Sequence, residues 1–261
     1  MKNYIYLDNA ATTKTDPEVL KVMLPYFKEY YGNPSSIYTQ GQLAIKAVDG
    51  ARHKIAKLLN ASAPTEIIFT SGATESNNLA IKGIIPNNNP KNIHCITTCI
   101  EHPSVRNSFK YLESQGIKVT YLPVTREGII REEDLIKNIL PNTRLISIMY
   151  VNNEIGTIQP VINIGKIIKK QNNLRQKRGL NKIYYHIDAV QAQNYLEMNL
   201  LKLRADLVTM SGHKIYGPKG IGILYIKKGT PLRSITQGGS QEYNLRPGTL
   251  NVPGIVGIAK A

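Results

Sequence analysis

Tryptophan is absent from the 261 residues, phenylalanine occurs three times and cysteine twice. Two cysteines cannot staple a chain of this length. The fold must therefore rest on an apolar core, and such sparing use points to a reducing, cytoplasmic compartment. A chain this long can bury roughly three quarters of its unfolded surface, so it needs no staples. No run approaches the ~18 apolar residues of a membrane-spanning helix. The first residues also lack the apolar segment and small-residue cleavage site of an export signal, so no membrane partner is expected.

Acid is scarce as well. Asp and Glu total 18 against 33 Lys and Arg, a formal net charge of +15. Such a balance attracts anionic cofactors and permits polyanion contact. Most of the basic residues are scattered. Between Val161 and Ile187, however, there is no acid at all, while Lys166, Lys169, Lys170, Arg175, Lys177, Arg178 and Lys182 are basic. This stretch reads first as a solvated helix end and loop, and only second as a polyanion contact, so no nucleic-acid partner is expected.

What is present is ordinary globular composition, 42% hydrophobic and 20% charged, with no internal repeat and only a short asparagine tract at 87–89. Asp16 and Pro17 form an N-cap and first-turn pair for a helix through Tyr31, with Leu20, Met23 and Phe27 on one face. A second helix carries Val48, Ile55 and Leu59. Strands are then predicted over 66–69, 93–97, 118–122, 145–150, 184–187, 207–210 and 223–226. Helices are predicted over 74–85, 103–115, 161–171 and 253–261. The alternation predicts an α/β fold with a mainly parallel sheet flanked by helices. Ligands of such sheets bind at the carboxyl ends of strands.

Polar constellations fall at those ends. Lys214, in Ser211-Gly212-His213-Lys214, suits an amine that forms a Schiff base with an aldehyde cofactor, with Ser211 and His213 able to donate to a phosphate on it. Asp188 closes an apolar strand, where a carboxylate needs a partner such as a protonated pyridine nitrogen, or caps the next helix. Gln191 could reach a phenolic oxygen of the same ring. Ser71-Gly72-Ala73-Thr74 opens a helix, whose free N–H groups make a phosphate seat. His102 could stack on an aromatic ring or serve a helix cap; Asn153 could reach a carboxylate or ring oxygen, or simply make a turn. His94, Cys95, Cys99 and His102 are zinc-ligand types. On a strand, though, His94 and Cys95 face opposite ways and no second pair follows. No metal site is expected, and Cys95 reads as a core thiol.

Several segments together resemble the cysteine desulfurases, enzymes of the aminotransferase class V group that use pyridoxal 5′-phosphate (PLP) and have the PLP-dependent transferase type I fold. They are Tyr6 to Thr13 (YLDNAATT), Gly32 to Ser36 (GNPSS), Thr70 to Asn78 (TSGATESNN), Val151 to Gly156 (VNNEIG), Ser211 to Gly222 (SGHKIYGPKGIG) and Arg246 to Val252 (RPGTLNV). The resemblance runs from about Tyr4 to Ala261. It implies that Lys214 holds PLP and that Ala73, Thr74, Ser211 and His213 bind its phosphate. It further implies that His102 stacks on the ring and serves in proton transfer, that Asp188 pairs with the ring nitrogen, that Gln191 contacts the phenolic oxygen, and that Asn153 lies beside cofactor and substrate. Thr249 would reach the phosphate of a neighbouring subunit, which implies a homodimer.

The implied activity removes sulfur from L-cysteine to leave L-alanine and an enzyme persulfide, which supplies an iron–sulfur scaffold protein or another sulfur acceptor such as the tRNA-thiolation machinery. A selenocysteine lyase, an aminotransferase of the group and a silent PLP-binding scaffold are the alternatives. The expected organisation is an arm over residues 1–15, a PLP-binding large domain over 16–252, and over 253–261 the start of a helix leading to a C-terminal small domain. Family members continue past this point with that domain, a carboxylate-binding arginine and a cysteine-bearing loop. Turnover is therefore expected where that part is supplied, and the chain alone is expected to expose apolar surface.

Overall fold

The β-rich runs become strands β1 (Ile67–Thr70), β2 (His94–Thr98), β3 (Lys118–Leu122), β4 (Thr143–Met149), β5 (Tyr184–Asp188), β6 (Leu207–Ser211) and β7 (Gly222–Ile226). In the computed structural model, which describes residues 5–86 and 92–261, they form one sheet in the order β1-β7-β6-β5-β4-β2-β3. The asparagine tract at 87–89 lies outside the described residues. β2 pairs parallel with β3 and β4, and β5 pairs parallel with β4 and β6. β7 runs antiparallel to both β6 and β1. Six strands thus share one direction, and their carboxyl ends meet the amino end of β7 along one edge.

Predicted and observed strands agree to within about two residues, because strands buried on both faces read as short apolar, β-branched runs. Glu66 is a local exception, sitting in a 3₁₀ turn before β1. Its carboxylate accepts N–H groups of Ser62 and Lys228, both at 2.7 Å.

Alternate side chains sort to the two faces, the period-2 rule of a strand. Ile67, Phe69, Ile146, Ile148, Tyr185 and Ile187 enter the larger core cluster. Beneath that face lie α3 (Thr39–Leu59), α7 (Val161–Lys177) and α9 (Val252–Lys260), which contribute Val48 and Ile55, Ile164 and Ile168, and Ile255 and Ile258. Cys95, Leu145 and Tyr184 face the other way, with Ile81 and Ile84 at the end of α4 (Ala73–Gly83) and Val105 and Phe109 of α5 (Pro103–Ser114). Each fully buried aliphatic or aromatic side chain contributes roughly 1.5–3 kcal/mol. Among the described residues no helix is long and apolar enough to cross a membrane.

Two expectations are corrected. The helix over residues 16–31 is interrupted. Asp16 caps α1 (Pro17–Met23) by accepting the Glu18 N–H at 2.7 Å, but α1 ends before α2 (Pro25–Lys28). Pro25 has no N–H to give, so the helical ladder is cut there. Of the anticipated apolar face only Met23 is buried, against α9, while Leu20 and Phe27 are exposed. The basic stretch is not wholly a solvated face either. Arg175 is buried, and its guanidinium donates to the carbonyls of Leu140, Pro141, Thr143 and Asn181. It fastens the turn before β4 to the end of α7.

Candidate active site

The shared strand edge opens into a cleft of about 760 Å³. Of the ten residues singled out in the sequence, nine line it: Ala73 and Thr74 after β1, His102 after β2, Asn153 after β4, Asp188 and Gln191 at and beyond the end of β5, and Ser211, His213 and Lys214 at the end of β6. Thr249 does not line it and is exposed.

Lys214 sits in a 3₁₀ turn directly after β6. Its Nζ donates to the carbonyls of Ala10 and Ala11, the latter at 2.7 Å. The segment preceding α1 therefore crosses the amine. That segment is pinned by Thr13, whose N–H donates to the His213 carbonyl at 2.8 Å, and by Gln191, whose amide donates to the Ala10 carbonyl at 2.9 Å. Desolvation pulls the Lys214 ammonium below the usual lysine range, against the opposing pull of Asp8 and Asp188. An amine so placed is a better nucleophile than a surface lysine.

Asp188 is buried, and burial pushes its carboxyl up. Its carboxylate still accepts the Asn77 amide at 2.8 Å and the Val190 N–H at 3.1 Å. Gly72, in the same cleft, takes φ +151° as the N-cap of α4. The first-turn N–H groups of Ala73 and Thr74 have no carbonyl within their own helix. Gly222 packs on this loop so closely that an added Cβ would lie 2.6 Å from the Gly72 carbonyl carbon. Ser211 Oγ is buried in the cleft wall without a hydrogen-bond partner among the described residues. A hydroxyl and two amides so placed, with a lysine amine and a buried carboxylate lining the same cleft, fit a phosphate-bearing pyridine aldehyde such as PLP.

The remaining expectations resolve locally. His102 lines the cleft and also caps α5, its Nδ1 accepting the Ser104 N–H at 3.2 Å. Within Asn152-Asn153-Glu154 it is Asn152 that makes the turn, its Oδ1 accepting the Glu154 and Ile155 N–H groups at 2.9 and 3.0 Å. Asn153 reaches the cleft, with its amide on Glu154 at 2.7 Å. His213 Nδ1 lies 3.2 Å from Thr12 Oγ1, and burial and the neighbouring lysines pull its pKa down.

His94 is held between Thr143 and Thr120 at 2.8 and 2.9 Å. Cys95 is buried and its thiol is pushed up to about 12. Among the described residues no group of three His, Cys, Asp or Glu could hold a metal ion. Neither Cys95 nor exposed Cys99 lines the cleft.

Four contributors were given no role from the sequence, although Glu75, Asn77 and Arg246 lie within the segments quoted above. Ser104 and Glu75 line the cleft, Asn77 stands behind Asp188, and Arg246 donates to Glu75 at 3.0 Å. Asn77 carried a signal: it is a polar residue on the buried stripe of α4, beside Ala80 and Ile81.

The carboxyl edge of an apolar-cored α/β sheet thus gathers a lysine, a buried aspartate and an open helix start around one cleft. The family described as aminotransferase class-V matches residues 5–261, and the chain belongs to it. It is 47% identical, over all 261 residues, to a cysteine desulfurase IscS of Clostridium botulinum, and spans 63% of that protein's length. A solved NifS-like protein superposes with a TM-score of 0.92 at 44% identity, over 98% of this chain and 68% of that one. A second solved structure, SspA in complex with cysteine, superposes at 0.91 with 40% identity, over 98% and 72% of the two chains.

Proposed function

We propose that this chain is the PLP-binding large domain of a cysteine desulfurase, which takes sulfur from L-cysteine, leaves L-alanine and passes the sulfur to a cysteine thiol as a persulfide. The observation that supports the reading is that Lys214 and Asp188 line one cleft together with the Ala73–Thr74 helix start and the unpartnered Ser211 hydroxyl. The likeness to a solved protein in complex with cysteine supports the substrate.

Bound PLP would supply an electron sink conjugated to the substrate's Cα. In this reading Lys214 would hold the cofactor through Nζ, and the same amine would be the base for the Cα proton. Asp188 holds a proton on the ring nitrogen by charge. Ala73, Thr74, Ser211 and His213 would seat the phosphate, Gln191 would address the phenolic oxygen, His102 would stack on the ring and serve in proton transfer, and Asn153 would lie beside cofactor and substrate. That Cys95 and Cys99 do not line the cleft supports a thiol other than these as the acceptor. A homodimer in which Thr249, exposed outside its own cleft, reaches the partner's phosphate belongs to the same reading, as do an iron–sulfur scaffold or tRNA-thiolation acceptor and a cytoplasmic setting.

Near-visible absorption of the chain purified with PLP tests the cofactor site. A yellow band that borohydride reduces, absent from Lys214→Ala, is the expected result; a folded chain without the band overturns it. Alanine and sulfide production from L-cysteine, with the C-terminal part of a relative co-expressed, tests the activity. Keto-acid formation instead would make the protein an aminotransferase, and a band without turnover in either case would leave a cofactor-binding scaffold.

A further inference from the structure

A chain of hydrogen bonds runs along the cleft wall from buried Asp188 through Asn77 and Ser104 to exposed His102. Asn77 Nδ2 donates to Asp188 Oδ2 and to Ser104 Oγ, each at 2.8 Å. Ser104 Oγ in turn lies 2.8 Å from His102 Nδ1, which also accepts the Ser104 N–H. Asn77 is wholly buried and Ser104 nearly so. The three partners come from three elements, α4, the start of α5 and the end of β5.

The direction of each bond follows from the donors available. Asn77 has two amide protons and uses both; the reversed amide would set its oxygen against the Asp188 carboxylate. Ser104 Oγ accepts one of those protons, so its own proton is left for His102 Nδ1. The backbone N–H of Ser104 points at the same nitrogen. A proton on Nδ1 would face that N–H donor to donor and leave the serine hydroxyl proton without its protein acceptor. The imidazole proton is thereby driven to Nε2, the nitrogen Ser104 does not engage.

We propose that Asn77 is a positioning residue that serves both faces of the site at once: it steadies the Asp188 carboxylate with one N–H and, through Ser104, holds His102 in the single tautomer with its proton on Nε2. Resting His102 then offers the cleft a donor, suited to an electron-rich group such as a substrate sulfur or carboxylate, and leaves the Cα proton to Lys214. The use of that donor rests on the function proposed above; the tautomer does not.

The test is the side-chain ¹H–¹⁵N long-range correlation spectrum of the ¹⁵N-labelled chain without cofactor. His102 is assigned by its disappearance in His102→Gln and is set apart from His53, His94, His186 and His213. One form, with Nδ1 bare and Nε2 protonated, is expected. In Asn77→Ala the His102 nitrogens are expected to shift toward an average of two tautomers, while the distant His53 signals stay in place. Should Asn77→Ala fail to fold, Ser104→Ala carries the same readout without touching Asp188. A proton on Nδ1 in the unaltered chain, or a His102 spectrum indifferent to both substitutions, overturns the proposal. Absence of the yellow band would count against the proposed function alone, because this spectrum is recorded without cofactor.

Discussion

Arg52 of α3 and Glu242, 190 residues apart in the chain, form a buried two-pronged ion pair, with Nη1 to Oε2 at 3.0 Å. Glu242 Oε2 also accepts the Phe69 N–H at 2.7 Å, and the Arg52 guanidinium lies 4.7 Å from the Phe69 ring centroid and 5.3 Å from that of Tyr243. The pair anchors an unfavourable turn: Glu242, Tyr243 and Asn244 all take positive φ, at 47°, 57° and 63°. Left-handed backbone at such residues costs of order 1–3 kcal/mol each and persists only where its surroundings over-determine it. Glu242→Ala leaves the guanidinium unpaired and the Phe69 N–H orphaned. It is expected to lower stability by about 3–5 kcal/mol in urea melts, with Arg52→Met/Glu242→Leu losing less than that.

Ser211 offers a cleaner separation of binding from folding. Its hydroxyl is buried and unpartnered among the described residues, so Ser211→Ala should leave the urea midpoint unchanged. If the hydroxyl meets the PLP phosphate, its loss removes a hydrogen bond to a charged group worth about 1.5–3 kcal/mol. Titration of the near-visible band should then show PLP affinity falling roughly 10- to 100-fold.

Gly222 tests the phosphate loop through its backbone. A methyl group there would lie 2.6 and 2.7 Å from the carbonyl carbon and Cα of Gly72, atoms that cannot swing aside as a side chain would. Gly222→Ala is expected to cost about 1–3 kcal/mol of stability, and to displace the start of α4 enough to weaken PLP by about tenfold or more in the same titration.

Glu101 gives a pH signature. Burial, with Asp188 nearby, holds its carboxyl up to about 8, despite hydrogen bonds from the Met149 N–H at 3.0 Å and the Thr98 hydroxyl at 2.8 Å. Between the ordinary carboxylate range and pH 8 the folded state keeps a proton that the unfolded state has lost, so this group makes stability fall as pH rises through that window. Glu101→Gln keeps the shape without the charge. Its stability relative to the unaltered chain should grow from pH 5 to pH 9, by more than about tenfold in the unfolding constant. Urea melts at the two pH values decide it; an equal difference at both would sink the assignment.

Much of the site was readable because the chemistry of an α/β sheet collects where strands stop. Asp188, Lys214 and the Ser71-Gly72-Ala73-Thr74 turn each follow an apolar run, and the structure gathers them around one cleft. The hidden parts are those whose partners lie far along the chain. Arg175 looked like one more charge in a basic stretch, yet it meets carbonyls 32 to 35 residues before it. Asn77 meets Ser104 27 residues on and Asp188 111 residues on, distances that no local pattern encodes.

Periodicity and strand ends, both local properties of residue type, belonged to the sequence by itself: where the strands lie, which faces are apolar, and which polar residues stand at their ends. The tertiary structure alone decided the strand order, the reversal of β7 that brings Gly222 onto Gly72, and the burial of Arg52 against Glu242. It also decided the partners of every bond from Asp188 to His102, because a buried donor's partner is set by which segments the folded chain brings within about 3 Å of one another.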